Sequence, residues 1–285
     1  MGDSNTVTVG YWSTKGLGAV CRMVVLYSGH TLKTKNYKLQ PVLNENNLSY
    51  DGSEWHEKDK IELKKRNSLI NLPYIELNNS QGDPILISQS NACLTYLGRK
   101  FEMFGSNEVD ISKCEQLLLE TNDLRSLITS FAYTHFKNKD LEKLAANEVF
   151  SKVFQNNNAG KIQKFENWLN NNDDKTNHFL INNKITIPDF NLFDILDFYI
   201  EFLKYYNFVN VKNNNKNIFN ELGYPSISKF YNHFIELPKM HKYLDSIFYK
   251  LPYTNKSARF GSGTKGNTWD YVLQIDDTPN EIIIN

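Results

Sequence analysis

An α+β chain of two domains is what this sequence predicts. A mixed βαβ–ββα unit spans residues 1–101, an all-helical unit occupies 108–261, and the tail, 262–285, is expected to be poorly ordered or draped on the surface. Three observations lead there. Short strand-sized apolar runs alternate with helical periods in the first hundred residues, and helical periodicity takes over after residue 105. The second half also carries Thr186-Ile187-Pro188-Asp189, a helix-capping signature. With 285 residues, 40% hydrophobic and 13% aromatic, the chain has enough apolar surface for a substantial core.

In chain order, residues 6–11 read as a strand, and Leu17, Val20, Met23, Val24 and Tyr27 recur at helical spacing until Ser28-Gly29 stops them. Residues 32–39 alternate as a second strand, and the polar stretch Pro41–Gly52 reads as a long loop. Leu72–Leu77 and Pro84–Ile87 flank the turn-rich Asn78–Asp83, which predicts an antiparallel hairpin, and Ala92, Leu94, Tyr96 and Leu97 then mark a helix. This element order is that of a thioredoxin-like domain. Pro73 opens a strand, where its missing N–H is tolerable and where a cis bond would turn the neighbouring backbone toward a ligand.

Beyond residue 105, Leu117, Leu118, Leu124, Leu127 and Ile128, then Leu141, Leu144, Val149 and Val153, keep a helical period. Further helices are expected at Ile162–Leu169, Phe190–Tyr206, Ser226–Phe234 and His241–Tyr249, with asparagine runs at 156–158, 170–172 and 213–215 as loops. Gly261–Gly266 lacks the spacing and the succeeding helix of a phosphate-binding loop and reads as plain loop.

Composition excludes several functions. Lys plus Arg (32) equals Asp plus Glu (32), so the basic footprint of a nucleic-acid binder is missing. Met1–Asn5 is polar and unlike a signal peptide, and no apolar stretch approaches the ~18 residues that cross a membrane. Met1–Thr6 matches the loose myristoylation pattern met by many soluble proteins. Cys21, Cys93 and Cys114 are scattered, as suits a reducing, cytoplasmic setting, and neither they nor the six histidines form a metal motif.

Two segments carry chemistry. Tyr11 lies where the first strand meets its loop, and a neutral phenol there can donate a hydrogen bond to a ligand thiolate. That lowers the thiol pKa from a cysteine-like ~8.5, each unit being worth about 1.4 kcal/mol. Gln89-Ser90-Asn91 enters a helix directly after a strand, where backbone amides, the helix dipole and a hydroxyl together suit a carboxylate. Tyr11 as an ordinary strand-end aromatic, and Ser90 as a cap for its own helix, are the plainer alternatives. The Pro73 strand between them would offer peptide groups to an extended ligand.

Gly10-Tyr11-Trp12 with Lys15-Gly16-Leu17, then Ser53–Lys58, Asn71-Leu72-Pro73-Tyr74, Ile87–Ala92 and Ile185–Phe190, together resemble the cytosolic glutathione transferases, most of all the mu class. The resemblance covers about residues 7–260. It implies a thioredoxin-like domain plus a helical domain, a homodimer, and conjugation of reduced glutathione, as co-substrate, to hydrophobic electrophiles in detoxification, with no metal. It makes Tyr11 the catalytic, thiol-activating residue and puts Trp12 and Leu17 at the glutathione site. Trp55 and Lys58 would meet the glycyl carboxylate, although Lys58 also belongs to a surface charge run with Lys60, Lys64 and Lys65. Asn71 and Leu72 would flank a cis Pro73, Leu72 pairing with the cysteinyl unit. Gln89 and Ser90 would hold the γ-glutamyl end, with Asp123 reaching it from the partner subunit. The same resemblance draws the electrophile pocket from Leu17, Phe131, Tyr133 and Phe260.

Departures from the family pattern keep two other readings open. The loop from Pro41 to Ser53 is long, Gly52 stands where an arginine often supports glutathione, and Leu69 or Ile70 stands where an aromatic key would close the dimer. A glutathione-dependent isomerase of prostaglandin-synthase type would use the same thiolate. A non-catalytic binding or structural relative would result if the altered loop removed ligand affinity.

Overall fold

The computed structural model describes residues 5–44, 47–79, 82–155, 160–171, 178–210, 214–262 and 278–285. The chain divides into two compact units, one formed by residues 1–101 together with 238–285, the other by 102–237.

In the first unit, β1 (Thr6–Trp12) leads through a short loop to α1 (Gly18–Tyr27), and β2 (Thr31–Tyr37) returns parallel to β1. A small separate hairpin, β3 (Gln40–Asn44) with β4 (Asn47–Asp51), precedes a π-helical turn, Glu54–Asp59, and α2 (Lys60–Lys64). Strand β5 (Tyr74–Asn79) is antiparallel to both β1 and β6 (Gly82–Ser88), and α3 (Ser90–Lys100) comes next. The result is the thioredoxin-like arrangement. Alternation sets the strand faces: Val7 and Val9 of β1 are buried under α1, whose Val20, Met23 and Val24 are fully buried in turn.

The second unit is helical, with α4 (Glu108–Tyr133), α5 (Lys139–Phe150), α6 (Lys161–Asn170), α7 (Ile187–Tyr205), α8 (Asn215–Glu221) and α9 (Pro225–Glu236). Helix α7 is its axis, buried nearly all round as its apolar sequence requires. The polar groups it carries inward are paired: Asp194 accepts from Arg125 at 2.5 Å, Asp197 from Tyr231 at 2.8 Å, and the Tyr199 hydroxyl donates to the Leu124 carbonyl at 2.9 Å. The capping box forms as its residues predict. Asp189 accepts from the Thr186 N–H at 2.7 Å and from the Leu180 N–H at 2.8 Å.

Three expectations need correction. The stretch Pro41–Gly52 is mostly the β3–β4 hairpin rather than a loop. The helical domain does not extend to 261, because the segment after Leu237 belongs to the first unit. That segment comprises a 3₁₀ turn, Pro238–Met240, α10 (His241–Leu244) and a second 3₁₀ turn, Ile247–Lys250, and it packs on α1 through buried Met240, Tyr243 and Phe248. Helical periodicity reveals an apolar face but not which neighbour it will meet. The end of the tail, finally, is β7 (Glu281–Ile284), antiparallel to β2, so among the described residues the sheet runs β6-β5-β1-β2-β7. Residues 1–4 of the myristoylation pattern, the asparagine run at 156–158, positions 263–266 of the glycine-bearing loop and the tail over 263–277 lie outside the described residues.

Candidate functional site

Register brings the separate sequence segments to one end of the first unit's sheet. Gly10 pairs with Tyr74, Tyr74 with Ser88, and Trp12 with Tyr37. One step beyond these pairs, Tyr11, Pro73 and Gln89 therefore lie side by side where three strands end.

Tyr11 is 9% exposed. Its ring and hydroxyl lie over the loop at Gly16, where φ is +38° and an added Cβ would meet the Tyr11 hydroxyl at 2.7 Å, so only glycine fits there. The loop itself is pinned from below. Arg22, fully buried on α1, donates through Nη1 to the Thr14 carbonyl at 2.7 Å and through Nη2 to the Trp12 carbonyl at 3.1 Å. Lys15 is buried as well, its ammonium 4.2 Å from the Tyr249 ring centre and 4.0 Å from that of Tyr253. The Lys15 and Gly16 N–H groups donate to the Pro252 and Tyr253 carbonyls. Local patterning gives Arg22 no role, and gives Lys15 none beyond its place in the Lys15-Gly16-Leu17 motif. A charged residue inside Val20-Cys21-Arg22-Met23-Val24 was the available signal, since a charge on an apolar helix face needs partners.

The Leu72–Pro73 peptide bond is cis. Ser88 fixes the approach to it, its hydroxyl accepting from the Asn71 N–H at 2.9 Å and donating to the Asn71 carbonyl at 3.0 Å. Among the described residues nothing pairs with the backbone N–H or carbonyl of Leu72, which is half-buried beside the open strand ends.

Gln89 holds φ +74°, a left-handed conformation unusual for a residue with a side chain, and turns the chain directly into α3. Ser90 is the first residue of the helix, not its N-cap, and no side-chain capping hydrogen bond forms. Ser90 is therefore not spent on its own helix, and its hydroxyl stays available.

The π-helical turn brings its two candidates to different fates. Lys58 is exposed, whereas Trp55 is 1% exposed, packed between Tyr37 (ring centres 5.0 Å) and Tyr74 (6.0 Å). Tyr37 donates to Asp59 at 2.7 Å, which ties this aromatic cluster to the turn. Burial pushes the Tyr74 phenol up to about 12 and Tyr37 higher still, so both stay neutral. Gly52 sits tightly under Trp12. A Cβ there would lie 3.1–3.3 Å from the side chains of His56, Leu39 and Trp12, so a larger residue at that position would require those side chains to shift. Trp12 is half-buried, and Leu17 is 37% exposed just before α1.

Other candidates lie elsewhere. Asp123 is exposed on α4 of the second unit and has no ion-pair partner among the described residues. Phe131, at 6% exposure, is a core residue of that unit, stacked edge-on to Phe202 and Tyr206, while Tyr133 is 38% exposed. Phe260 belongs to the first unit and is buried, its carbonyl accepting from Thr254. All three cysteines are buried and free. A hydrogen bond with Cys21 and burial raise the Cys93 thiol, and burial raises Cys114 to about 12, so neither is a thiolate at neutral pH. No metal-holding group of His, Cys, Asp or Glu occurs among the described residues.

A thioredoxin-like unit with a tyrosine loop, a cis-proline and a left-handed turn into a helix start at one sheet end, in a chain with a separate helical unit, defines a two-unit α+β class by its fold. Comparison with known proteins agrees. Residues 122–247 match the family model described as glutathione S-transferase, C-terminal domain. A class-mu 26 kDa glutathione S-transferase isozyme of Schistosoma mansoni is 31% identical over 202 residues, 70% of this chain and 85% of the relative. Human glutathione S-transferase Mu 3 is 26% identical over 267 residues, 92% of this chain and 98% of the relative. The crystal structure of the glutathione S-transferase Blo t 8 superposes with a TM-score of 0.67 at 19% identity, over 89% of this chain and 99% of that one, and shares the fold. The chain belongs to the glutathione S-transferase family, with mu-class enzymes among its relatives.

Proposed function

We propose that this glutathione S-transferase holds glutathione extended across the sheet end of its first unit and activates the thiol with Tyr11. The observation that carries the reading is the alignment of three features at one edge: the Tyr11 loop, the unpaired backbone of Leu72 and the uncapped start of α3. Leu72 would pair with the cysteinyl unit in the manner of an added strand, directing the sulfur to Tyr11. Gln89 and Ser90 would take the γ-glutamyl carboxylate on the helix N-terminus. Lys58, exposed on the π-helical turn, would supply a cation for the glycyl carboxylate, while buried Trp55 and half-buried Trp12 wall the turn that carries it. Asn71 acts through its Ser88-held backbone.

The Tyr11 hydroxyl donates to the sulfur and favours its ionised form. The thiolate then bonds to the electrophilic carbon, expelling a leaving group or adding across a double bond. Cys93 and Cys114 stay out of this chemistry, as their raised thiol pKa values require, and Cys21 is buried as they are. Of the four residues the resemblance names for the electrophile, Leu17 and Tyr133 are exposed, each on its own unit, and Phe131 and Phe260 are core. We further propose a cytoplasmic homodimer acting in detoxification. Leu69, 80% exposed, is suited to an apolar subunit contact, and exposed Asp123 is suited to serve a partner's γ-glutamyl amine.

The test joins glutathione affinity to conjugation of a model aromatic halide, with Tyr11→Phe beside the unchanged protein. The variant should bind glutathione with similar affinity, raise the bound thiol pKa by about a unit or more, and lose roughly tenfold in turnover for each unit. Full activity with an unchanged thiol pKa would remove Tyr11 from the mechanism.

A further inference from the structure

The C-terminal strand reaches the loop of Tyr11 through a short line of buried polar groups. Asn36, at the end of β2 and 1% exposed, is held on two sides by the tail. Its N–H donates to the Asn280 carbonyl at 2.7 Å, and its Nδ2 donates to the Pro279 carbonyl at 2.9 Å. Asn36 Nδ2 also donates to Thr34 Oγ1 at 2.9 Å, so the amide is oriented with Oδ1 turned to the other side. There it accepts from Arg22 Nη2 at 3.4 Å, the same nitrogen that donates to Trp12, on the guanidinium whose Nη1 holds Thr14.

A parallel line reaches the turn that carries Trp55 and Lys58. Asn280 Nδ2 donates to Glu54 at 3.0 Å, and Lys35 bridges Glu281 at 2.9 Å and Asp59 at 3.7 Å. Strand β7 itself buries little. Glu281 and Ile283 are exposed, with Ile283 at 62%, whereas Thr278 and Asn36, where the tail meets the end of β2, are buried. The weight of the contact is therefore in the Asn36 backbone N–H and side-chain amide, which lose their acceptors when the tail is removed.

We propose that the segment Thr278–Asn285 is a positioning element of the glutathione site, with Asn36 and Arg22 as the positioning residues that transmit it. The tail fixes the Asn36 amide, Asn36 fixes the Arg22 fork, and Arg22 sets the Trp12–Thr14 loop that aims the Tyr11 hydroxyl. The proposal rests on the reading of Tyr11 as the thiol-activating group.

The test compares three proteins: full length, a truncation lacking 278–285, and full-length Asn36→Ala. Each is monitored by thermal unfolding, glutathione affinity, turnover and the pKa of the bound glutathione thiol read from its ultraviolet absorbance. The truncated chain should keep its helical spectrum and bind glutathione, while its bound thiol pKa rises by about one unit and turnover near neutral pH falls about tenfold. Asn36→Ala should move both in the same direction, and it carries the test if the truncated chain does not fold. Leu144→Ser, at an exposed position on α5 of the second unit, should match full length. Wild-type thiol pKa and turnover in both the truncation and Asn36→Ala would overturn the relay. Failure of the underlying site shows differently: the full-length protein would not depress the thiol pKa, or Tyr11→Phe would not raise it, and the relay falls with it.

Discussion

Ser90 separates two meanings of the same residue type. A serine at a helix start ordinarily stabilises the helix by accepting from an N–H of its first turn, and losing that bond costs about 1 kcal/mol. Here the N-cap position is occupied by Gln89 in a left-handed conformation, and Ser90 makes no such bond. Ser90→Ala should therefore leave the unfolding midpoint nearly unchanged and weaken glutathione binding about tenfold or more, the scale of one hydrogen bond to a charged group. Titration calorimetry beside thermal unfolding reads both quantities. A drop in stability with unchanged affinity would return Ser90 to a capping role. The sequence told where this serine lies, because a strand, a turn and a helix period enclose it. It did not tell that the cap position had moved back by one, since that depends on a backbone angle at Gln89.

At the scale of elements, legibility tracked the range of the interaction that forms each one. The βαβ and ββα segments and the Thr186–Asp189 cap are local patterns, readable from periodicity and spacing. The β3–β4 hairpin is built from two five-residue strands, too short and too mixed in composition to show a sustained alternation. β7 is a four-residue run whose partner strand lies some 250 residues away, a pairing that no local window contains. Among the legible elements, the α7 cap allows a sharp expectation. Asp189 is fully buried, and burial pushes its carboxyl up to about 7 even though backbone N–H groups of Leu180 and Thr186 favour its charged form. Asp189→Ala removes the acceptor and strands both donors, so urea unfolding should record a loss of about 3 kcal/mol, the sum of a cap and an unsatisfied buried group. Asp189→Asn keeps one acceptor oxygen and should lose less. Equal stability of all three proteins would mean that the cap contributes nothing to folding.

For the molecule as a whole, the consequence of the returning C-terminal segment is that the first unit is not a contiguous stretch of chain. Residues 102–237 are inserted into it, and residues 238–285 complete it. The completion is chemical as well as geometric. Buried Lys15 finds its aromatic partners in Tyr249 and Tyr253, and the Arg22 guanidinium lies 5.0 Å from the Phe248 ring centre. Without those partners two cations on or beside α1 would face either water or an unfilled apolar surface, and a buried charge that loses its partner is strongly destabilising. A fragment of residues 1–101, which includes all the strands of a plain thioredoxin-like sheet, should thus be largely unfolded in isolation. The same fragment joined by a flexible linker to residues 238–285 should recover a cooperative thermal transition and dispersed amide resonances. If residues 1–101 fold alone with a comparable midpoint, the segment after Leu237 is an ornament on the unit. If only the joined chain folds, the first unit of this protein is built from both ends of the sequence.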